Sequence, residues 1–314
     1  MTAVGGPSPA AGLAGALTAV AVGGSAWAVG VEPRWFALRV AEAPVLRPAA
    51  RGPLSVLHLS DLHLQPRGRL GKLSRADALA RFLGRCHAAE PDLTVITGDL
   101  VGHPAAIDDA VALLAPLVAE RPGLVTLGSN DRYGPVVKNP LGYLVRGDAS
   151  PAEPEGEPID TEALVRGLAS TGWTVAENTR VRVDTAAGPV EAAGLGDAHL
   201  GADRPGRVDW RAPAADAALY LGVAHAPYAR VLDQLAGAGC DLALCGHTHG
   251  GQVRVPGVGA LTTNCDLPTT QARGLSRWQR MPLHVSAGLG QSRYAPFRFA
   301  CRPEATLLRL HAPA

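Results

Sequence analysis

Leu54-Ser55-Val56-Leu57-His58-Leu59-Ser60-Asp61-Leu62-His63 reads as a short buried strand that delivers two metal-ligating residue types to its C-terminal end. Pro53 bounds the apolar, β-prone run on one side and polar residues bound it on the other. Side chains alternate in a strand-like extension, so Asp61 and His63 are expected on one side, where a carboxylate oxygen and an imidazole nitrogen can share a cation. Asp-x-His alone is as often a capped turn as a ligand pair. The weight therefore falls on the motifs further along the chain.

Ser74 can cap a helix with Asp77 in its first turn, and Leu79, Phe82, Leu83 and Cys86 supply its buried stripe. It ends before Pro91, and a second apolar strand, Leu93-Thr94-Val95-Ile96-Thr97, runs into Gly98-Asp99. Strand, helix, strand with a right-handed crossover implies a parallel pair, which places Asp61 and Asp99 at the same edge. Ile107, Val111, Leu114 and Val118 repeat the helical stripe, shortened or kinked by Pro116. A third strand, Gly123 to Leu127, then ends in Gly128-Ser129-Asn130-Asp131. Leu219 to Ala224 delivers His225, and Tyr228, Val231, Leu232 and Leu235 line a helix closed by Gly237 and Gly239. Leu242-Ala243-Leu244 leads into Cys245-Gly246-His247-Thr248-His249-Gly250-Gly251-Gln252. In a tight turn both imidazoles can reach one point beyond the sheet edge, and the glycines let the backbone approach a bound anion.

Segments near Trp173 to Val175, Val181 to Val183 and Val190 to Ala193 suggest strands of a second sheet. Gly147 to Asp160, with three prolines among acidic residues, reads as a solvated insertion. Val253 and Val255 alternate as in a hairpin, and Thr306 to Leu310 as a closing strand, while Arg293 and Lys138 are surface cations by default.

At 314 residues and 47% apolar content, the chain can hold one large domain or two ordinary ones. A formal charge of +1, with no basic stripe interleaved with aromatics, argues against nucleic acid as a partner. Five cysteines without a Cys-x-x-Cys pair do not make a disulfide framework, and core packing is the expected role of Cys86 and Cys245. Residues 11–31 contain no charge and match the ~20 residues needed to cross a bilayer, so 1–31 reads as a membrane anchor or signal-like segment. Arg34, Arg39, Arg47 and Arg51 come after it and none precedes it, which by the positive-inside tendency is expected to place the main domain in the cytoplasm. Ala26-Trp27-Ala28 resembles a cleavage site and leaves export as the alternative. Residues 32–53 read as a connector and 54–314 as the main domain.

Asp61-x-His63, Gly98-Asp99, Gly128-Ser129-Asn130-Asp131, His225 and Gly246-His247-Thr248-His249, in that order, resemble the calcineurin-like metallophosphoesterase superfamily, in particular its bacterial membrane-associated branch. Gly288-Leu289-Gly290 and Phe299 to Glu304 carry the likeness on, so that it runs from about Val56 to Leu310. The resemblance implies an α/β fold, a four-layer α/β/β/α sandwich with two mixed β-sheets, holding two divalent metal ions (Mn, Fe or Zn) at the sheet edge. Carried over motif by motif, Asp61, His63 and His249 bind the first metal, Asp99 bridges, and Asn130, His225 and His247 complete the second, with Asp99, Asn130 and His225 serving catalysis. Two cations ~3.5 to 4 Å apart acidify the water between them, and that hydroxide attacks a phosphate ester or pyrophosphate. The implied substrate is a phosphate-ester small molecule or a lipid, free or nucleotide-linked. The alternative is a non-catalytic, membrane-tethered scaffold on the same fold.

The third motif departs from the family's usual Gly-Asn-His-Asp or Gly-Asn-His-Glu. A gapless reading puts Ser129 at the metal-binding asparagine; a one-residue shift lets Asn130 serve, and an amide oxygen is the better ligand. Either way the usual histidine is missing. Asp131 and His103 are structural before they are proton donors, so leaving groups of low pKa are favoured.

Overall fold

Strands that are apolar on both sides must be covered on both, and the chain satisfies them by stacking two sheets between helices. The computed structural model describes residue 18 and residues 21–66, 75–134, 156–291 and 295–313. Ser74, Lys138, Arg293, most of the 147–160 insertion and much of the 11–31 segment lie outside the described residues.

The first sheet is formed by β1 (Ala37–Pro44), β2 (Leu54–Leu59), β3 (Leu93–Thr97), β4 (Gly123–Thr126) and β5 (Trp173–Val175). The second contains β6 (Thr179–Thr185), β7 (Gly188–Gly194), β8 (Leu219–Val223) and β9 (Leu242–Cys245). A small hairpin, β10 (Arg254–Val255) and β11 (Gly259–Ala260), stands apart. The chain then adds β12 (Gly274–Trp278) and β13 (Met281–Val285) to the second sheet and returns to the first as β14 (Glu304–His311). Spatial orders are β1-β14-β2-β3-β4-β5 and β12-β13-β9-β8-β7-β6. Both sheets are mixed: β14 runs antiparallel to β2, and β12 and β6 run antiparallel to their neighbours β13 and β7.

Residue alternation divides the apolar side chains into three layers. Leu54, Val56, Leu93 and Val95 face Leu219, Leu221, Leu242 and Leu244 across the space between the sheets. Leu57, Leu59 and Ile96 point the other way, onto α1 (Arg75–His87), α2 (Ile107–Leu114) and α3 (Thr161–Ser170). Tyr220 and Ala243 meet Val231, Leu232 and Leu235 of α4 (Ala229–Gly237) on the outside of the second sheet. This is the expected four-layer sandwich. Pro116 lies in a 3₁₀ turn directly after α2, and all five cysteines are buried and free.

Three expectations change. Trp173–Val175 pairs in parallel with β4 and so extends the first sheet rather than the second. The stretch 32–53 is more than a connector, because β1 lies within it and pairs with β14 from Ala37↔Glu304 to Pro44↔His311. Among the described residues no helix is long and apolar enough to cross a membrane. Trp27–Val31 is instead a π-helical turn, with a 3₁₀ turn at Glu32–Arg34 after it. Glu32 ties this segment to the far end of the chain by accepting hydrogen bonds from the Ala300 and Cys301 amides.

Candidate metal centre

β2, β3, β8 and β9 run in the same direction within their sheets and end at one edge, where the loops after them meet. Asp61 and His63 are not in the extended conformation expected of them. Their φ angles are 51° and 45°, Asp99 has 55°, and His247 and His249 have 70° and 50°. Left-handed backbone is rare in non-glycine residues and concentrates at functional sites. The neighbouring turns hold it in place: the Asp61 and His63 amides donate to the carbonyls of Gly98 and Asp99, each at 2.9 Å. Asp131 secures the same turn, its carboxylate accepting from the amides of Asp99, Leu100, Val101 and Gly128. Its role is structural, as is that of His103, whose Nδ1 accepts from the Ala105 amide at the start of a 3₁₀ turn.

Five expected ligands converge. Asp61, His63 and His249 form one group and Asp61, Asp99 and His225 another, the ligand atoms in each lying within 4.8 Å of one another. Asp99 presents Oδ2 to His63 Nε2 at 3.4 Å and Oδ1 to His225 Nε2 at 3.5 Å. The Nε2 atoms of His63 and His249 are 3.1 Å apart. Two nitrogens each ~2.1 Å from one ion stand about 3.0 to 3.4 Å apart at tetrahedral or octahedral angles, so the spacing suits a shared cation. His225 Nδ1 donates to the Thr97 carbonyl at 2.7 Å, which leaves Nε2 as the lone-pair nitrogen. That atom is buried without a hydrogen-bond partner among the described residues, as a metal ligand would be. His247 is turned differently, with Nε2 on the Asn264 carbonyl at 3.0 Å, so Nδ1 is its candidate ligand atom. Asn130 sits against Asp99, its amide and its Nδ2 each 2.8 Å from a carboxylate oxygen. For Asn130 to coordinate, the carboxamide must turn its oxygen to the centre.

Electrostatics match the geometry. Burial favours a protonated Asp99, but His225 and His63 outweigh it and hold the carboxyl below its usual range. Burial raises Asp61 to about 6 and lowers His63 to about 4. Burial likewise takes His247 and His249 well below the usual imidazole range, so three of the histidines are neutral donors. Burial also opposes charge on His225, yet Asp99, Asp197 and Asp61 together raise it to about 9.

Three residues at the site escaped the sequence reading. Arg298 is fully buried and donates to the carbonyls of Ala287, Gly288, Gly290 and Cys301 while Nη2 lies 3.3 Å from His249 Nδ1. Nothing in Phe297-Arg298-Phe299 advertises this. Asp197 and His199 did carry a signal, since Asp197-Ala198-His199 comes after β7 with the same Asp-x-His spacing as Asp61-Leu62-His63. His199 lies with its ring centroid 4.6 Å from that of His247, and Nδ1 is 3.0 Å from the Tyr228 hydroxyl.

Comparison with known proteins identifies the family. The family model described as calcineurin-like phosphoesterase matches residues 54–251. Phosphodiesterase YaeI of Escherichia coli (strain K12) is 30% identical over 282 residues, covering 89% of this chain and 90% of that protein. The uncharacterized metallophosphoesterase YkoQ of Bacillus subtilis (strain 168) is 26% identical over 260 residues, covering 82% and 83%. A transmembrane protein with metallophosphoesterase domain from Bos taurus is 29% identical over 230 residues, 73% of this chain and 48% of that one.

Proposed function

Because the chain belongs to the calcineurin-like phosphoesterase family, we propose that it hydrolyses a phosphate ester with two divalent cations held by Asp61, His63, Asp99, Asn130, His225, His247 and His249. The reading is carried by one observation: buried carboxylates and imidazole nitrogens converge, those of Asp61, His63, Asp99 and His249 from left-handed backbone, and a further buried nitrogen, His225 Nε2, has no hydrogen-bond partner among the described residues. When bound, such cations supply an acidified water as nucleophile and positive charge against the phosphoryl oxygens. Imidazole and carboxylate donors without thiolate suit manganese, iron or zinc.

The protein's own contribution is positioning. Asp99 stays ionised between His63 and His225 and faces both groups. Carbonyls of Thr97 and Asn264 fix the tautomers of His225 and His247, and Asp131 fixes the turn from which Asp99 projects. Gly128-Ser129-Asn130-Asp131 contains no histidine, so no imidazole from this loop can protonate a departing oxygen. Diesters and aryl esters with leaving groups of low pKa are therefore the favoured substrates. The membrane partnership expected of residues 11–31 has no spanning helix behind it among the described residues, and a surface contact is the form it takes in this reading.

The decisive experiment loads the protein with manganese, iron or zinc, counts metals per chain, and measures hydrolysis of bis-p-nitrophenyl phosphate and p-nitrophenyl phosphate. Two metals per chain are expected, with preference for the diester and nearly complete loss of turnover in Asp99→Asn. No turnover of either ester by the two-metal protein would overturn the enzyme reading and leave the scaffold.

A further inference from the structure

Outside the metal centre, segments distant in sequence build a second site. Trp27, Trp35 and Phe299 surround a surface cavity of about 340 Å³ together with Arg39, Arg273 and Arg302. The walls are firmly held. Glu32, almost fully buried, accepts the Trp27 indole N–H at 2.9 Å and the Ala300 amide at 3.1 Å, locking the N-terminal turn onto the loop before β14. The Trp27 and Trp35 rings meet edge to face at 5.7 Å, and the Arg302 guanidinium lies 3.8 Å above Trp35 while donating to the Trp35 and Phe36 carbonyls.

These rings are nevertheless exposed: Trp27 by 40%, Trp35 by 49% and Phe299 by 40%. Val29 and Val31 extend the apolar face from the same turn, and Val258 adds a further exposed side chain in the turn of the β10–β11 hairpin, whose Arg254 amide donates to the Phe299 carbonyl. The cationic side of the cavity is crowded. Arg39 pairs with Glu304 at 3.3 Å, and Arg302 is held below its usual range, first by burial and then by Arg39. Glu32 and Glu304 act on Arg302 in the opposite sense.

Exposed indoles beside arginines fit the water–lipid boundary, where amphipathic rings sit at headgroup level and guanidinium groups pair with phosphate. The chain leading into this face decides the occupant. Residues 11–26 contain no Asp, Glu, Lys or Arg, and the chain reaches the cavity directly after them at Trp27. An acidic protein partner accounts for the arginines alone; an anionic lipid surface accounts for the arginines, the exposed rings and the uncharged segment together. We propose that this face docks the chain on an anionic lipid surface, with a lipid phosphate among Arg39, Arg273 and Arg302 and the Trp27 and Trp35 rings at headgroup depth. The proposal is independent of catalysis.

The test uses the full chain without added metal and vesicles of phosphatidylcholine, with or without phosphatidylglycerol. Binding is expected only with phosphatidylglycerol and is expected to weaken about five-fold for each of Arg39→Gln and Arg273→Gln, from roughly 1 kcal/mol per basic residue near the surface. Acyl-brominated lipid should quench tryptophan emission, and Trp27→Phe with Trp35→Phe should remove most of that quenching. Circular dichroism melts confirm that the variants remain folded. Equal binding to both vesicles, or binding indifferent to the arginines and to Trp27 and Trp35, would show that residues 11–26 act alone and sink the proposal. Saturable binding of glycerophosphoglycerol without vesicle binding would make the cavity a site for soluble phosphate. Sedimentation showing a dimer that shields Trp27 and Trp35 would make it an interface between copies. Either result would overturn the lipid assignment.

Discussion

Metal binding should displace a proton across the whole range from pH 9 to pH 6. In the metal-free protein His225, raised to about 9 by Asp99, Asp197 and Asp61 against the effect of burial, is half protonated near pH 9 and almost fully protonated from about pH 8 downward. A ligating imidazole must be neutral, so the cation competes with one proton and its affinity falls tenfold per pH unit, about 1.4 kcal/mol each. From pH 9, where half the proton is already off, down to pH 6 this is about five-hundred-fold, or roughly 4 kcal/mol. Below about pH 6 Asp61, raised to about 6 chiefly by burial, takes up a second proton and the slope doubles. His63, lowered to about 4, and His247 and His249, taken well below the usual range, are already neutral and add nothing above pH 5. The same shift has a sign for the metal-free fold: since His225 binds its proton more tightly when folded, its stabilisation is complete below pH 6.5 and is lost as pH rises through 9. Manganese affinity can be measured against a chelator of known pH dependence, and protons counted by calorimetry in buffers of different ionisation enthalpy. His225→Asn should flatten the dependence between pH 6 and 9. A wild-type affinity that is flat over that range, with no proton released, would refute the assignment of His225 as a ligand competing with its own proton.

Asp131→Asn keeps volume but leaves one oxygen to serve donors that now use two, so two of the four amides lose their acceptor. At about 1–3 kcal/mol each, the expected destabilisation is about 4 kcal/mol, measured by urea denaturation in chelator; less than about 1 kcal/mol would show that the donors find water instead. Gly128→Ala introduces no backbone strain, because φ there is −109°, but its Cβ would overlap Asp99 Oδ1. The same Cβ would lie 2.8 Å from the Asp99 amide nitrogen and 2.8 Å from His225 Cε1, so metal affinity should drop tenfold or more and the melting temperature should fall with it, and unchanged affinity would mean that the loop absorbs the methyl group. Between the sheets, His284 Nδ1 lies 2.7 Å from His58 Nδ1, and burial lowers His284 to about 4. The unfolded chain therefore takes its proton first as pH falls below 6.5, so stability should decline by about 3 kcal/mol down to pH 4. The double variant His58→Leu, His284→Leu should lose much of that slope in acid denaturation, and an unaltered slope would place the acid sensitivity elsewhere.

What the sequence disclosed was local. Asp61, Asp99, His225, His247 and His249 each come after an apolar run, and a run of that length ends at a sheet edge whatever its partners are, so the candidate ligands were legible before any pairing was known. What it concealed depends on pairing. The Asp61-Leu62-His63 segment looks extended because its own residues allow extension; the left-handed turns arise because the amides of Asp61 and His63 bond to carbonyls brought by β3, not by their own strand. β1 alternates weakly and exposes Leu38 and Val40, and it becomes a strand only against Glu304–His311, at the other end of the chain. β5 has three residues, too few to declare which sheet it joins, and it is assigned by its register with Gly123–Val125. Arg298 is the extreme case: an arginine between two phenylalanines reads as surface, whereas its burial is supported by four carbonyl acceptors within the 286–303 connection that carries the chain from β13 of one sheet to β14 of the other. Ligand type comes from local chemistry, but ligand orientation is set by carbonyls such as those of Thr97 and Asn264, which no spacing rule reaches. The tautomer that makes His225 Nε2 a donor atom is thus a property of the fold, and it exists only after β8 has been laid against β9 and the two sheets have closed.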